Sequence, residues 1–591
     1  MKQFFGAFFG SVLGIVIATV LAIFITVAVV KSSFKDAFKD KEESSVAKPN
    51  SILKLVIEGE IAEREKQNPF EDFGNMGVFD GNSGLGLNTL LEKIKSAESN
   101  KNIKGIYLVI KSMQAGSASV QELRNALSDF KKSGKFIYAY SEDYSQNEYF
   151  LASVATKIFL NPQGNIDWKG LGMRLMFFKH AFEKLEIEMQ VFRHGKFKSA
   201  VEPFLLDKMS QANRYQSEAF VNSIWSSMLN AISKDRKLSV EEMNRMANNL
   251  EIRYPEDALG KFVDALAYED EVVAELKKTI GLKDAEKLKF VDFEKYEATH
   301  EEKSKSKKDK IAVIYANGSI SSGDGDDDEI GSDRLAKAIR EARLDDKIKA
   351  IVLRVNSPGG SAMASDVIWR EVVLAKKAKP TVVSMGNLAA SGGYYISCAA
   401  DRIFAQPNTI TGSIGVFGLI PNLGKMLENK LGITMDTVNT NKYSDMATGL
   451  RPVTEKEYNY IQSSVEKVYD TFTKRVAEGR HMSQANVDSI GQGRVWTGAD
   501  ALKINLVDEL GGLNDAIAYA AAKAKLKEYK IIELPKQKNP FDDLLGKKES
   551  EMETRMIKRN LGPVYMYFKQ MQNVLRLEGV QARLPFEYSV D

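Results

Sequence analysis

Two short stretches of this chain hold residues that could break a peptide bond. In "NLAASGGYYIS" (387–397), Ser391 stands between two alanines and two glycines, directly after an apolar run. In "VNSPGGSA" (355–362), two further glycines follow the strand-like "KAIVLRV" and predict a sharp turn ahead of a helix. Glycines beside a nucleophile let backbone N–H groups approach a reacting carbonyl with no Cβ in the way. The amide of Gly392, with that of Gly359 or Gly360, could therefore hold a tetrahedral oxyanion.

A serine hydroxyl needs a base to take its proton. The chain has four histidines, His180, His194, His300 and His481, scattered too widely for a His-rich metal site. His481, in a polar helix-like stretch, is the nearest to Ser391 and stays open as a base. "A-A-S-G-G" also departs from the G-x-S-x-G elbow of α/β-hydrolases. A Ser-Lys dyad is the alternative, and Lys198 in "HGKFKSAVEPF" (194–204) is its candidate. To act near neutral pH, that lysine must fall from about 10.4 to about 7, which costs roughly 4–5 kcal/mol. Burial away from any carboxylate can supply the shift, so Glu202, close by in sequence, must point away.

An internal repeat supports this pairing. "KGIYLVIKSMQAGSASVQELRNAL" (104–127) matches "KAIVLRVNSPGGSAMASDVIWREV" (349–372), and "EYFLASVATKIFLNP" (148–162) matches "GYYISCAADRIFAQP" (393–407), both at an offset of 245 residues. Apolar strands alternating with helical patterns in each copy predict tandem, mainly parallel α/β domains. At this offset Ser391 faces Gln146, and "NSPGG" faces "KSMQA". Lys198 in turn faces Tyr443. One copy lacks the serine and the other lacks the lysine, as expected of a composite site shared by duplicated domains, most simply within one chain.

The bulk numbers exclude some partners. With 82 basic and 79 acidic residues the net charge is +3, which implies no nucleic-acid partner. The single cysteine, Cys398, excludes an intrachain disulfide and a cysteine metal cluster. Residues 4–30 hold no charged side chain, and as a helix they would extend roughly 40 Å, enough to cross a bilayer with tilt. Lysines 31, 35, 39 and 41 behind the span leave its orientation open from charge alone. The expected organisation is a transmembrane anchor (1–30), a tether (31–49), a first α/β repeat carrying the lysine (50–298), a linker (299–310), a second repeat carrying the serine (311–535) and a tail (536–591).

"GKFKSAVEPF", "VNSPGGSA", "AASGGYYIS", "TITGSIGVFG" (409–418) and "GRVWTGADALKINLVDELGG" (493–512), behind an N-terminal span, resemble the signal peptide peptidase A (protease IV) family in its long, two-repeat bacterial form. The resemblance covers almost the whole chain. It implies tandem Clp/crotonase-like ββα domains behind a transmembrane helix, assembled as a homotetramer. It further implies Ser391 as nucleophile, Lys198 as general base, Ser413 as the serine that orients the lysine, and an oxyanion hole from Gly392 with Gly359 or Gly360. No metal or organic cofactor is implied. The implied substrates are cleaved signal peptides and other apolar extended peptides. They are met at the bacterial inner membrane, with the catalytic part on the periplasmic side. Two rival readings are a crotonase-like acyl-CoA enzyme, which would use only the glycine amides, and a non-catalytic membrane scaffold. The acidic loop 321–332 and the tail carry no assigned role.

Overall fold

The computed structural model describes residues 47–65, 85–283, 285–297, 309–537 and 580–584. The expected span and most of the tether, the linker and the tail lie outside these residues. Among the described residues, no helix is long and apolar enough to cross a membrane.

The repeat is visible element by element. Helix Leu87–Ser99 recurs as Ser332–Leu344, strand Ile103–Gln114 as Ile348–Ser357, and strand Lys157–Leu160 as Arg402–Ala405, each beginning 245 residues later. The long helices Gln211–Arg236 and Glu455–Arg480 are 244 residues apart, and each begins at a side-chain cap, Ser210 or Thr454. Strand sequences explain the layering. "IKGIYLVI" and "IKAIVLRV" are near-continuous apolar runs with one buried pattern, a single exposed residue followed by six buried ones. That is the signature of a parallel strand covered on both faces.

In the first repeat, Ser51–Ala62, Ile103–Gln114, Phe136–Ser141 and Lys157–Leu160 lie side by side in parallel. In the second, Lys310–Asn317, Ile348–Ser357 and Thr381–Ala390 do the same, and Ile410–Gly412 continues from the C-terminal end of Thr381–Ala390. A third sheet runs Glu329–Gly331, Ser319–Ser321, Gly359–Ser361, Gln581–Arg583, Phe417–Asn422, Glu188–Arg193. Its last two strands join the repeats, because Glu188–Arg193 comes from the first and pairs antiparallel with Phe417–Asn422 of the second.

A buried ion cluster also joins the repeats. Arg354, in the central strand of the second, donates to Glu63 Oε2 at 2.7 Å, to Glu122 Oε2 at 2.9 Å and to Ser384 Oγ at 2.9 Å. Both glutamates belong to the first repeat, and all three charged side chains are buried. Replacing Arg354 by alanine would strand two carboxylates without their cation. Chemical denaturation should show a loss of about 3–5 kcal/mol.

Candidate active site

Ser391 sits where strand Thr381–Ala390 turns into helix Gly392–Ser397, with φ 55° and ψ −113°. Positive φ is costly for a residue with a Cβ, and such strain concentrates at functional turns. The turn is held by Ser391 N–H donating to Gly412 O at 2.8 Å and Tyr395 N–H donating to Ser391 O at 2.8 Å. So although the G-x-S-x-G spacing is absent, the backbone makes a strand-to-helix elbow of the same kind. Ser413 follows the adjacent strand and also has positive φ, 49°. Because Ala390 and Gly412 are register partners, the two serines emerge side by side at the strand ends.

Lys198 reaches them from the first repeat. Arg193 is paired with Phe417, four residues beyond Ser413, and this register brings the loop after Arg193 over the two serines. Phe197 N–H donates to Gln492 O at 2.9 Å, and Gln216 Nε2 donates to Phe197 O at 3.1 Å, fixing the loop on both sides. Two glycines make room for the lysine. A Cβ on Gly493 would come within 2.7 Å of Lys198 Cα, and one on Gly415 within 3.3 Å of its Cδ.

Lys198 Nζ lies 3.0 Å from Ser391 Oγ, 3.0 Å from Ser413 Oγ and 3.4 Å from Ser413 O. All three residues are 0% exposed. No carboxylate is among these partners. Glu202 is turned away, accepting from Ser210 N–H, Ser210 Oγ and Asn213 Nδ2. Burial alone therefore lowers the lysine to about 7. An amine at that value is largely neutral at slightly alkaline pH and can accept a proton. Ser413 Oγ, with both lone pairs and a rotatable hydrogen, can accept from the ammonium and donate to the neutral amine.

The histidines are elsewhere. His481 closes the helix Glu455–Arg480 in the left-handed conformation and is exposed. His194 stacks on Tyr469 with ring centroids 3.8 Å apart. Neither is a partner of Ser391, so the open choice of base closes on the lysine geometrically.

Gly359 and Gly392 meet beside the serine. A Cβ on Gly359, whose φ is +94°, would stand 2.6 Å from Gly392 N and 2.1 Å from Ala582 O. Gly359 N–H itself donates to Ser357 Oγ at 3.1 Å. Gly360 is packed under Ile320, where a Cβ would come within 2.0 Å of a carbonyl oxygen. The expected glycine turn is thus a short strand, Gly359–Ser361, because it is paired on both sides. Gly359→Ala would push a methyl group into this space. Steady-state kinetics should show kcat lower by about 10²–10³-fold, the range for loss of one oxyanion donor. Unchanged kcat would put the reacting carbonyl elsewhere.

Sequence reasoning missed Asn387, four residues before the serine. Its Oδ1 accepts from Ala118 N–H at 3.1 Å and Ser119 N–H at 3.0 Å, at the start of the first repeat's helix Ser117–Lys132. The available signal was Gly116, which follows a strand without a side-chain cap of its own.

Similarity to known proteins agrees with this geometry. The chain matches peptidase family S49 over residues 129–283 and 374–527. The chain belongs to peptidase family S49. It is a serine protease. Clp protease is matched over residues 302–411, consistent with a Clp-like fold in the second repeat. Protease 4 of Salmonella typhi is 40% identical over 460 residues, 75% of this chain and 72% of that protein. Protease 4 of Haemophilus influenzae is 35% identical, over 72% of this chain and 71% of that protein. Serine protease SPPA, chloroplastic, of Arabidopsis thaliana is 34% identical over 84% of this chain and 73% of that protein. The S49 membership removes both rivals, since neither a thioester enzyme nor a passive scaffold accounts for it.

Proposed function

We propose that this S49 protease is a membrane-anchored endopeptidase with a Ser391–Lys198 dyad, which degrades cleaved signal peptides within their apolar segments. The observation that carries the reading is the 3.0 Å contact between Lys198 Nζ and Ser391 Oγ in a fully buried setting.

The reaction follows from that contact. Neutral Lys198 takes the Ser391 proton as Oγ attacks the peptide carbonyl carbon. The negative oxygen of the tetrahedral intermediate rests on the Gly392 amide and an amide of the Gly359–Gly360 pair. Lys198 ammonium, steadied by Ser413 Oγ, then protonates the departing nitrogen. A water molecule takes the amine's place and gives its proton to Lys198. It attacks the acyl ester, and Ser391 regains its hydrogen.

The uncharged run of residues 4–30 supports an anchor in the bacterial inner membrane, with the site on the periplasmic side where cleaved leaders remain. Assembly as a homotetramer is supported by an apolar surface that the single chain leaves open. Ile433, Met435 and Val438 are 46%, 53% and 100% exposed in one extended stretch. The test is to incubate the full chain in detergent micelles with a synthetic leader peptide and with a polar peptide of equal length. Mass spectrometry should find cuts inside the apolar core of the first. Cleavage confined to the polar peptide, or none, would overturn the substrate assignment.

A further inference from the structure

The third sheet contains a strand that the catalytic reading does not use. Gln581–Arg583 lies between Gly359–Ser361, which continues from the glycine turn, and Phe417–Asn422, which begins four residues after Ser413. It runs antiparallel to both, pairing Gly359 with Arg583, Gly360 with Ala582, Ser361 with Gln581, and Phe417 with Gln581. Flanking bonds extend the ladder: Ala362 N–H donates to Val580 O at 3.3 Å, and Leu584 N–H donates to Pro358 O at 2.7 Å. Antiparallel ladders alternate, so Gly360 and Ala582 form the close, hydrogen-bonded pair.

That register turns one carbonyl toward the chemistry. Ala582 O sits 2.1 Å from where a Gly359 Cβ would stand and 3.0 Å from where a Gly392 Cβ would stand. Ala582 is 0% exposed, and Leu584, 2% exposed, joins the packed cluster that contains Ala390, Ile410 and Val495. An extended peptide brought to Ser391 would satisfy its backbone by adding a strand to these same edges, with alternate side chains entering pockets. The place for that strand is filled.

We infer that residues 580–584 occupy the substrate's strand position, so that the chain carries its own competitor for the cleft. The inference rests on the catalytic reading above. It also specifies the register of a substrate: a small residue against Gly359 and Gly392, and a large apolar residue two positions further on. A tethered competitor slows turnover by one plus the ratio of its effective concentration to its dissociation constant. With millimolar effective concentration and a weak pentapeptide contact, the factor is about 10.

The experiment compares three forms in detergent micelles: the full chain, a chain ending at Gly579, and full-length Ala582→Glu, whose charge cannot stay buried in the slot. Two rates are read, hydrolysis of a fluorogenic peptide and covalent labelling of Ser391 by a fluorophosphonate. Both should rise about 10-fold in the shortened chain and in Ala582→Glu. Millimolar synthetic Val580–Leu584 pentapeptide should slow the shortened chain again. Equal or slower labelling of folded variants would make the strand a fixed wall of the cleft and overturn the inference alone. If the shortened chain does not fold, Ala582→Glu decides by the same criterion. No labelling of Ser391 in any form would overturn the catalytic reading, and this inference with it.

Discussion

Lys198→Met should reduce kcat/KM for peptide hydrolysis by about 10⁴-fold or more, in the range seen when one member of a catalytic unit is removed, while leaving the protein at least as stable. The two effects have one cause. Lys198 is fully buried without a carboxylate, and its amine is held at about 7 by desolvation. Between pH 7 and the unfolded value near 10.4, the unfolded chain binds a proton that the folded chain does not. Stability from this group therefore rises with pH across that window, and below it the full cost of about 4–5 kcal/mol is present. Methionine fills a similar volume and has no amine to desolvate. Denaturant titration at pH 7 should show Lys198→Met gaining stability, and the gain should shrink toward pH 10. In the parent, kcat/KM should climb as pH rises through about 7, since only the neutral amine accepts the serine proton. A variant that is both inactive and markedly less stable would mean that the lysine is structural.

Ser391→Ala should be as inactive as Lys198→Met, and the double variant should be no worse than either, because residues that act as one unit are not additive. The backbone adds a second readout. At φ 55° alanine keeps the strain of a Cβ in the left-handed region, whereas glycine is free of it. Ser391→Gly should thus be equally inactive yet more stable than Ser391→Ala by about 1–2 kcal/mol. Retention of more than about 1% of parental turnover by either variant, against the 10⁴-fold loss expected of a nucleophile, would place the nucleophile elsewhere.

Much of this site was legible in the chain because duplication supplied a control. The 245-residue offset matched elements almost residue for residue, and the two reciprocal losses singled out Ser391 and Lys198. An offset reports equivalence and not adjacency, so it could not foresee that Glu188–Arg193 pairs with Phe417–Asn422 across the repeats. The positive φ of Ser391 and Ser413 was equally hidden, since serine carries no compositional mark of a left-handed turn. Glu202 was expected to point away, and its three donors from Ser210 and Asn213 do turn it away. The role of Gly493 was invisible, because what it accommodates lies almost 300 residues earlier. The tail looked unremarkable for a similar reason: strand pairing of "QAR" is decided by the edges it meets and not by its own propensity.

The central claim is that Lys198 activates Ser391, and the most direct measurement is the pH dependence of covalent labelling at Ser391. The account predicts that a fluorophosphonate modifies Ser391 at a rate that rises with pH about a midpoint near 7, and that Lys198→Met abolishes both the labelling and the midpoint. Labelling that persists in Lys198→Met with the same midpoint would contradict it.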